Sequence, residues 1–135
     1  MRDFVMTIFE KFLREVAQIP SNTVTPWRND VFPLTLWLII AISLVSTLLF
    51  YFFFNKMYSS YNSGGSWFRT FLLNGFICGI VAFIIVYAAF PAMFKQVLTL
   101  SLWYAVLNLV YAFILFFVFS MIFKWFSPNG RKSPF

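Results

Sequence analysis

The chain has 135 residues, of which 61% are hydrophobic, 24% aromatic and 10% charged, with a formal charge of +6. A soluble domain carries about 25% charged residues, and one of this size cannot hide so much apolar surface, so the chain reads as an integral membrane protein; its mean hydropathy is +0.84. This excludes a nucleotide-binding α/β enzyme, a secreted disulfide scaffold and a disordered tail, and the lone Cys78 cannot form an internal disulfide.

Residues 1–19 have the pattern of an amphipathic helix. Phe4, Val5, Ile8, Phe9, Phe12, Val16 and Ile19 recur at three- and four-residue spacing, with Asp3, Thr7, Glu10, Lys11, Arg14 and Gln18 on the other side. Glu10 and Arg14 form a favourable i,i+4 pair. The segment is too charged for the core of a signal peptide, and no small-residue cleavage site follows it. Its Phe-rich face is expected to lie in the membrane interface or to dock on a partner. Pro20 stops the helix, and residues 20–31 read as a polar connector.

The first span is expected over residues 32–54, since no charge occurs from Val31 to Asn55. About 21 residues suffice to cross the roughly 30 Å hydrocarbon core. Pro33 falls in the first turn, where a missing N–H is harmless, and Ser43, Ser46 and Thr47 fall mid-span. Residues 55–69 read as a polar loop rich in Ser and Gly, with Tyr58, Tyr61 and Trp67 at the lipid interface.

The second span is expected over residues 70–90 and is broken by Pro91. It holds Asn74, Gly75, Cys78 and Gly79. The GxxxG pair Gly75 and Gly79 lets helix backbones approach closely, and Asn74 is placed to hydrogen-bond across that contact; Cys78 reads as a small buried hydrophobe. Residues 91–99 form a tight turn in this reading, with Lys95 as its charge. The third span follows over residues 100–123, within an apolar stretch whose first turns, marked by Trp103 and Tyr104, belong in the interface. Ser101, Tyr104, Ala105, Asn108, Tyr111 and Ala112 share one face of it, a small and polar face that should turn toward protein. Asn108 is the strongest single choice for an interhelical hydrogen bond. Residues 124–135 make a basic tail. The predicted fold class is therefore an all-α integral membrane protein, with three transmembrane helices preceded by an N-terminal amphipathic helix.

The charges are unevenly placed. All four acids lie in the first thirty residues, where they balance four basic residues; from Val31 onward there are six basic residues and no acid. That pattern suits anionic lipid head groups and orientation signals better than nucleic acid. With three spans, every Lys and Arg counted leaves five on each side; setting aside Arg2, Lys11 and Arg14 as remote leaves two against five. The weighted count puts the N-terminus out and the C-terminus in, in a bacterial or mitochondrial inner membrane.

No Asp, Glu, Lys, Arg or His lies mid-span, and the chain has no His at all. Intramembrane ionisable groups normally mark proton relays and ion paths. Their absence argues against a pump, a proton-coupled transporter and a voltage sensor, and a hydroxyl such as Ser101 has no base to activate it. The expectation is a non-enzymatic accessory subunit, with no cofactor and no metal, packed among other membrane protein subunits and phospholipids. The abundant phenylalanines, more than three helices can bury among themselves, favour such partners.

Two alternatives come from other classes. A small chain with three spans and a basic tail resembles the phage holins in architecture, which implies a pore-former; spans this apolar would line a water-filled hole poorly. A quinone- or lipid-binding anchor of an oxidoreductase would use Tyr104, Asn108 and Tyr111, without haem ligation by His.

Overall fold

A computed structural model describes residues 2–17, 21–53, 64–90 and 94–126. Nearly all of them are helical, and no strand occurs among them. The amphipathic helix α1 covers Arg2–Ala17. A helical stretch over residues 21–53, here α2, joins two α-helical and two π-helical segments. Helix α3 covers Gly64–Ala89 and α4 covers Phe94–Lys124. Three stretches, Val24–Phe53, Gly65–Ala89 and Gln96–Lys124, are long and apolar enough to cross a membrane. The protein is thus an all-α chain of membrane-spanning character with a further helix in front of its spans.

The helices extend past the boundaries read from sequence. Residues 21–31, expected as a polar connector, continue the first span upward as helix, because Trp27 and Val31 are buried against the bundle. A π-helical turn occupies Trp27–Val31, where the Phe32 N–H reaches back to the Trp27 carbonyl. Pro33 explains it: without an N–H it cannot donate to the carbonyl four residues back, and its ring crowds that carbonyl, so the turn widens. A second π turn, Leu49–Phe53, lets the adjacent residues Phe50 and Tyr51 both face inward. Helix α3 begins at Gly64, inside the segment expected as loop, and α4 begins at Phe94, inside the expected turn. Local Gly and Ser content suggested a loop at the first site, but Ser66, Trp67 and Thr70 are buried there. Tyr58, Tyr61, Pro91 and the basic tail from Ser127 lie outside the described residues.

The three spans form an up-down-up bundle whose layers follow from the contacts. In the middle layer, Ser43 of α2, Asn74 of α3 and Ala112 of α4 meet. Phe50 and Tyr51 join Trp67 and Phe116 in a distal aromatic cluster. Trp27, Phe32 and Tyr104 meet at the proximal end, where the first span begins. Counting about 20 residues back from Lys124, at 1.5 Å each, puts the proximal edge of a 30 Å hydrocarbon core near Tyr104; counting forward from Arg69 puts it near Ala89. The contacts of Asn74 with Ala112 and of Trp67 with Ser120 set Tyr104 level with about Phe83, so the two counts place the edge about 9 Å apart. Helix α1 lies against α4 from Trp103 to Tyr111.

Candidate functional site

Two features carry the residues singled out in the sequence: an inward polar layer between the spans and the docked helix α1. The polar layer centres on Asn74, which is almost fully buried. Its Nδ2 donates to Ser43 Oγ at 3.2 Å and to the Ala112 carbonyl at 3.3 Å, so one amide ties all three spans. Cys78 is buried in the same layer, its Sγ 4.0 Å from Ser43 Oγ. Thr35 and Thr47 return their hydroxyls to the carbonyls of Val31 and Ser43 in their own helix, each at 2.6 Å. Such bonds satisfy a hydroxyl without a partner helix, as hydrocarbon requires. In the distal layer Trp67 Nε1 donates to Ser120 Oγ at 3.2 Å. Trp67 is therefore buried between α3 and α4 and not at the lipid interface expected for it.

The two glycines of the GxxxG pair face α4 and act differently. A Cβ added at Gly75 would stand 2.1 Å from Phe113 Cε1, so the Phe113 ring fits only because Gly75 has no side chain. That ring also stacks on Phe71, with centroids 4.3 Å apart and planes 15° apart. At Gly79 an added Cβ would be 3.4 Å from the Ala105 carbonyl oxygen, an ordinary contact. The close approach of backbones thus joins α3 and α4 within one chain.

On α4, Ser101, Tyr104, Asn108 and Ala112 are buried, while Ala105 and Tyr111 flank them half-buried. The structure corrects the role expected of Asn108. Its Nδ2 donates to the Tyr104 carbonyl at 2.8 Å, inside its own helix, and Asn74 makes the interhelical bond instead. The Tyr104 hydroxyl faces the side chains of Thr35 and Asn108. Asn74 Oδ1, Ser101 Oγ and Trp27 Nε1 are buried without a hydrogen-bond partner in the protein.

Helix α1 was expected to dock on a partner or on the bilayer; in the structure it docks on the chain's own bundle. Phe9 is buried edge-on against Phe32, Tyr104 and Tyr111, with centroids 5.8, 6.0 and 6.2 Å away. Leu13, one turn later, is fully buried, and Phe12 meets Trp103. Val5 and Met6 pack partly against the same cluster. Phe4, at 71% exposure, and Ile8 and Val16 lie on an adjacent stripe that points away; Ile19 lies outside the described residues. Sequence reasoning missed Leu13, whose four-residue spacing from Phe9 was the available signal.

An ion cluster fixes α1 to the start of α2. Glu10 pairs with Arg28 and, at 2.7 Å, with Arg14. The Arg28 hydrogen bond holds the Glu10 carboxyl below the usual carboxylate range, against a smaller opposing effect of desolvation, and the positive charges of Arg28 and Arg14 add to it. Both arginine side chains are about half exposed, 58% and 45%, so each pair contributes only about 0.2–1 kcal/mol. The aromatic and leucine contacts hold the helix; the charges set its register.

No protein family, curated protein or solved structure matches the chain. The reading of function therefore rests on these residues. Among the described residues no group of three or more His, Cys, Asp or Glu side chains converges. Away from the ends of the spans, Thr35, Ser43, Thr47, Asn74, Ser101 and Asn108 are buried within the bundle, whereas Arg28, Asp30, Arg69, Gln96 and Thr99 near the ends are exposed. Between those ends the outward faces are apolar, with Leu34, Trp37, Val45, Phe76, Ile80, Ile84, Val110 and Ile114 exposed.

Proposed function

We propose that this chain is a non-catalytic accessory subunit of a larger membrane complex. One observation carries the reading: the mid-span polar side chains turn inward, bonded between helices at Asn74, Ser43, Trp67 and Ser120 or within their own helix at Thr35, Thr47 and Asn108, and a broad apolar, aromatic-rich surface faces outward. Lipid-facing positions need only be apolar, whereas rigid aromatic side chains such as Trp37, Phe68 and Phe76 add shape to a surface that can meet other helices. The docked α1, braced by Glu10 and Arg28, stiffens the proximal end of the bundle. The basic residues that follow Val31, with no acid among them, support an orientation with the C-terminus inside and contact with anionic phospholipid on that side.

The pore-forming and quinone-anchor readings draw less support. A lumen would need inward polar groups free to meet water, and here Asn74, Ser43 and Ala112 close on one another. The quinone reading needs Tyr104 and Tyr111 open to a ligand, and Phe9 occupies the space between them. The test is to tag the C-terminus, extract the native membrane in mild detergent, and run a native gel with mass spectrometry of the band. A large band with a fixed set of co-migrating proteins is expected. A band or ladder of this chain alone, with dye leakage from vesicles that contain it, would replace the accessory reading with the pore.

A further inference from the structure

The contacts between helices fix which residues stand level. Trp67 with Ser120 and Asn74 with Ala112 put Arg69 of α3 level with Val118 of α4, six residues short of Lys124 and so about 9 Å inside that end. Arg69 is exposed, and its exposed neighbours Phe68, Leu73 and Phe76 offer the guanidinium no hydrogen-bond partner. No acidic side chain follows Asp30 in the chain, and Glu10 is held by Arg14 and Arg28 at the far end of the bundle.

The proximal edge of the hydrocarbon can be set from residues other than Arg69. Arg28 and Asp30 of α2 and Gln96 and Thr99 of α4 are exposed there. By the layer that joins Ser43, Asn74 and Ala112, Arg28 stands level with about Val97 of α4 and Ala89 of α3. Ala89 lies 20 residues from Arg69, which at 1.5 Å each is about 30 Å, the thickness of the hydrocarbon core. A membrane whose proximal edge meets Arg28 and Asp30 thus has its distal edge at Arg69 on this face. Helix α4 still exposes Val118, Met121 and Ile122 at and beyond that level. An edge drawn at Lys124 would cover them but would leave the Arg69 charge inside hydrocarbon, which is costly. A helical side chain leans toward the N-terminus of its helix, and that of α3 is distal, so Arg69 leans toward the head groups. A phosphate drawn inward to Arg69 satisfies both helices.

We propose that Arg69 is a binding site for the phosphate of a membrane phospholipid, which it holds lower against α3 than the head groups lie around the end of α4. A guanidinium suits this task because its paired N–H groups match two phosphate oxygens. The proposal names a site for the phospholipid contact read above on this side, and it is independent of the accessory role.

The test uses the full chain, with arginine isotope-labelled at the guanidinium carbon, in phosphatidylglycerol bilayers and phosphate-free buffer. Carbon–phosphorus dipolar dephasing in solid-state NMR reports a guanidinium beside a lipid phosphate, and the resonance missing from R69K is that of Arg69. That carbon is expected to lose most of its intensity, and an undephased Arg69 carbon would overturn the proposal. A nitroxide on the lipid head group then reads depth. It is expected to relax the amides of residues 69–72 in the parent, and several-fold less in R69L, while relaxation at Ile122 stays the same. Unchanged relaxation of residues 69–72 in folded R69L would overturn the proposal. In native membranes, a photo-crosslinker at Leu73 that traps another polypeptide in place of lipid would overturn it too, and would leave the accessory reading standing.

Discussion

Replacing Gly75 by alanine puts a methyl carbon where the Phe113 ring already stands. The added Cβ lies 2.1 Å from Cε1 and 2.7 Å from Cδ1 and Cζ, against an optimum of about 3.5–4.0 Å between carbon atoms. The ring must therefore retreat by roughly 1.5 Å. It cannot do so alone, because its other face stacks on Phe71, and Phe71 in turn lies on Trp67 and Phe116. Overpacking of a filled interior costs about 1–3 kcal/mol, and a spoiled aromatic pair about 0.5–1.5 kcal/mol more. G79A is the control one turn away. Its Cβ meets only ordinary contacts, and alanine favours helix by up to about 1 kcal/mol, so its net effect should be small. The double variant G75A/F113L removes the offending ring and should recover most of the loss. Stability is read by titrating detergent-solubilised protein with SDS and following tryptophan fluorescence, to which Trp67 contributes from within the affected cluster. If G75A matches the parent, or if G79A is the more damaging of the two, the assignment of Gly75 and Phe113 as the contact between α3 and α4 is wrong.

Other perturbations have equally definite outcomes. N74L removes the amide that ties the three spans and should lower stability in the same titration by about 0.6–2 kcal/mol; an unchanged midpoint would deny the bond. Cys78 is fully buried and should react with a maleimide only after SDS unfolding, whereas rapid labelling in mild detergent would contradict its place in the bundle. The double variant F9A/L13A should free α1 without separating the spans. It should be seen as faster amide hydrogen exchange in residues 4–16 alone, and exchange that rises throughout would show α1 to be part of the bundle's own stability. Because Glu10 has a lowered pKa in the folded chain, its contribution is fully present above the ordinary value of 4.5 and fades as the pH falls through the lowered one. Exchange in α1, corrected for its intrinsic rate, should thus increase only in acid, and E10Q should show the loosened behaviour already at neutral pH.

Much of this fold is legible in the sequence because hydrocarbon is a demanding solvent. A charge-free run such as Val31 to Asn55 leaves little choice but to span, and the small, polar face of α4 at Ser101, Tyr104, Asn108 and Ala112 must turn from lipid. The pattern favours Asn108 for the bond across helices, and the structure gives that bond to Asn74, because the relative rotation of the helices, which no spacing encodes, decides between the two amides. It also could not show that α1 folds back. The stripe Phe4, Ile8, Phe12, Val16 and the stripe Val5, Phe9, Leu13 adjoin on the helix, and only the shape of the surface around Trp27, Phe32 and Tyr104 selects the second. The misread ends have one cause. Ser, Thr, Gly and Pro at residues 21–31 and 64–66 carry local turn signals, and burial of Trp27, Val31 and Trp67 overrides them.

The claim that matters most is that the outward face meets other polypeptides. A photo-crosslinking amino acid placed in turn at Trp37, Val45, Ile114 and Val118, in the chain expressed at its natural level in its own membrane, tests it most directly. The account predicts that at least one of these positions traps a fixed protein partner, at the same mass in every preparation, while others trap only lipid. Cross-links to lipid alone from all four positions, or only to further copies of this chain, would contradict it.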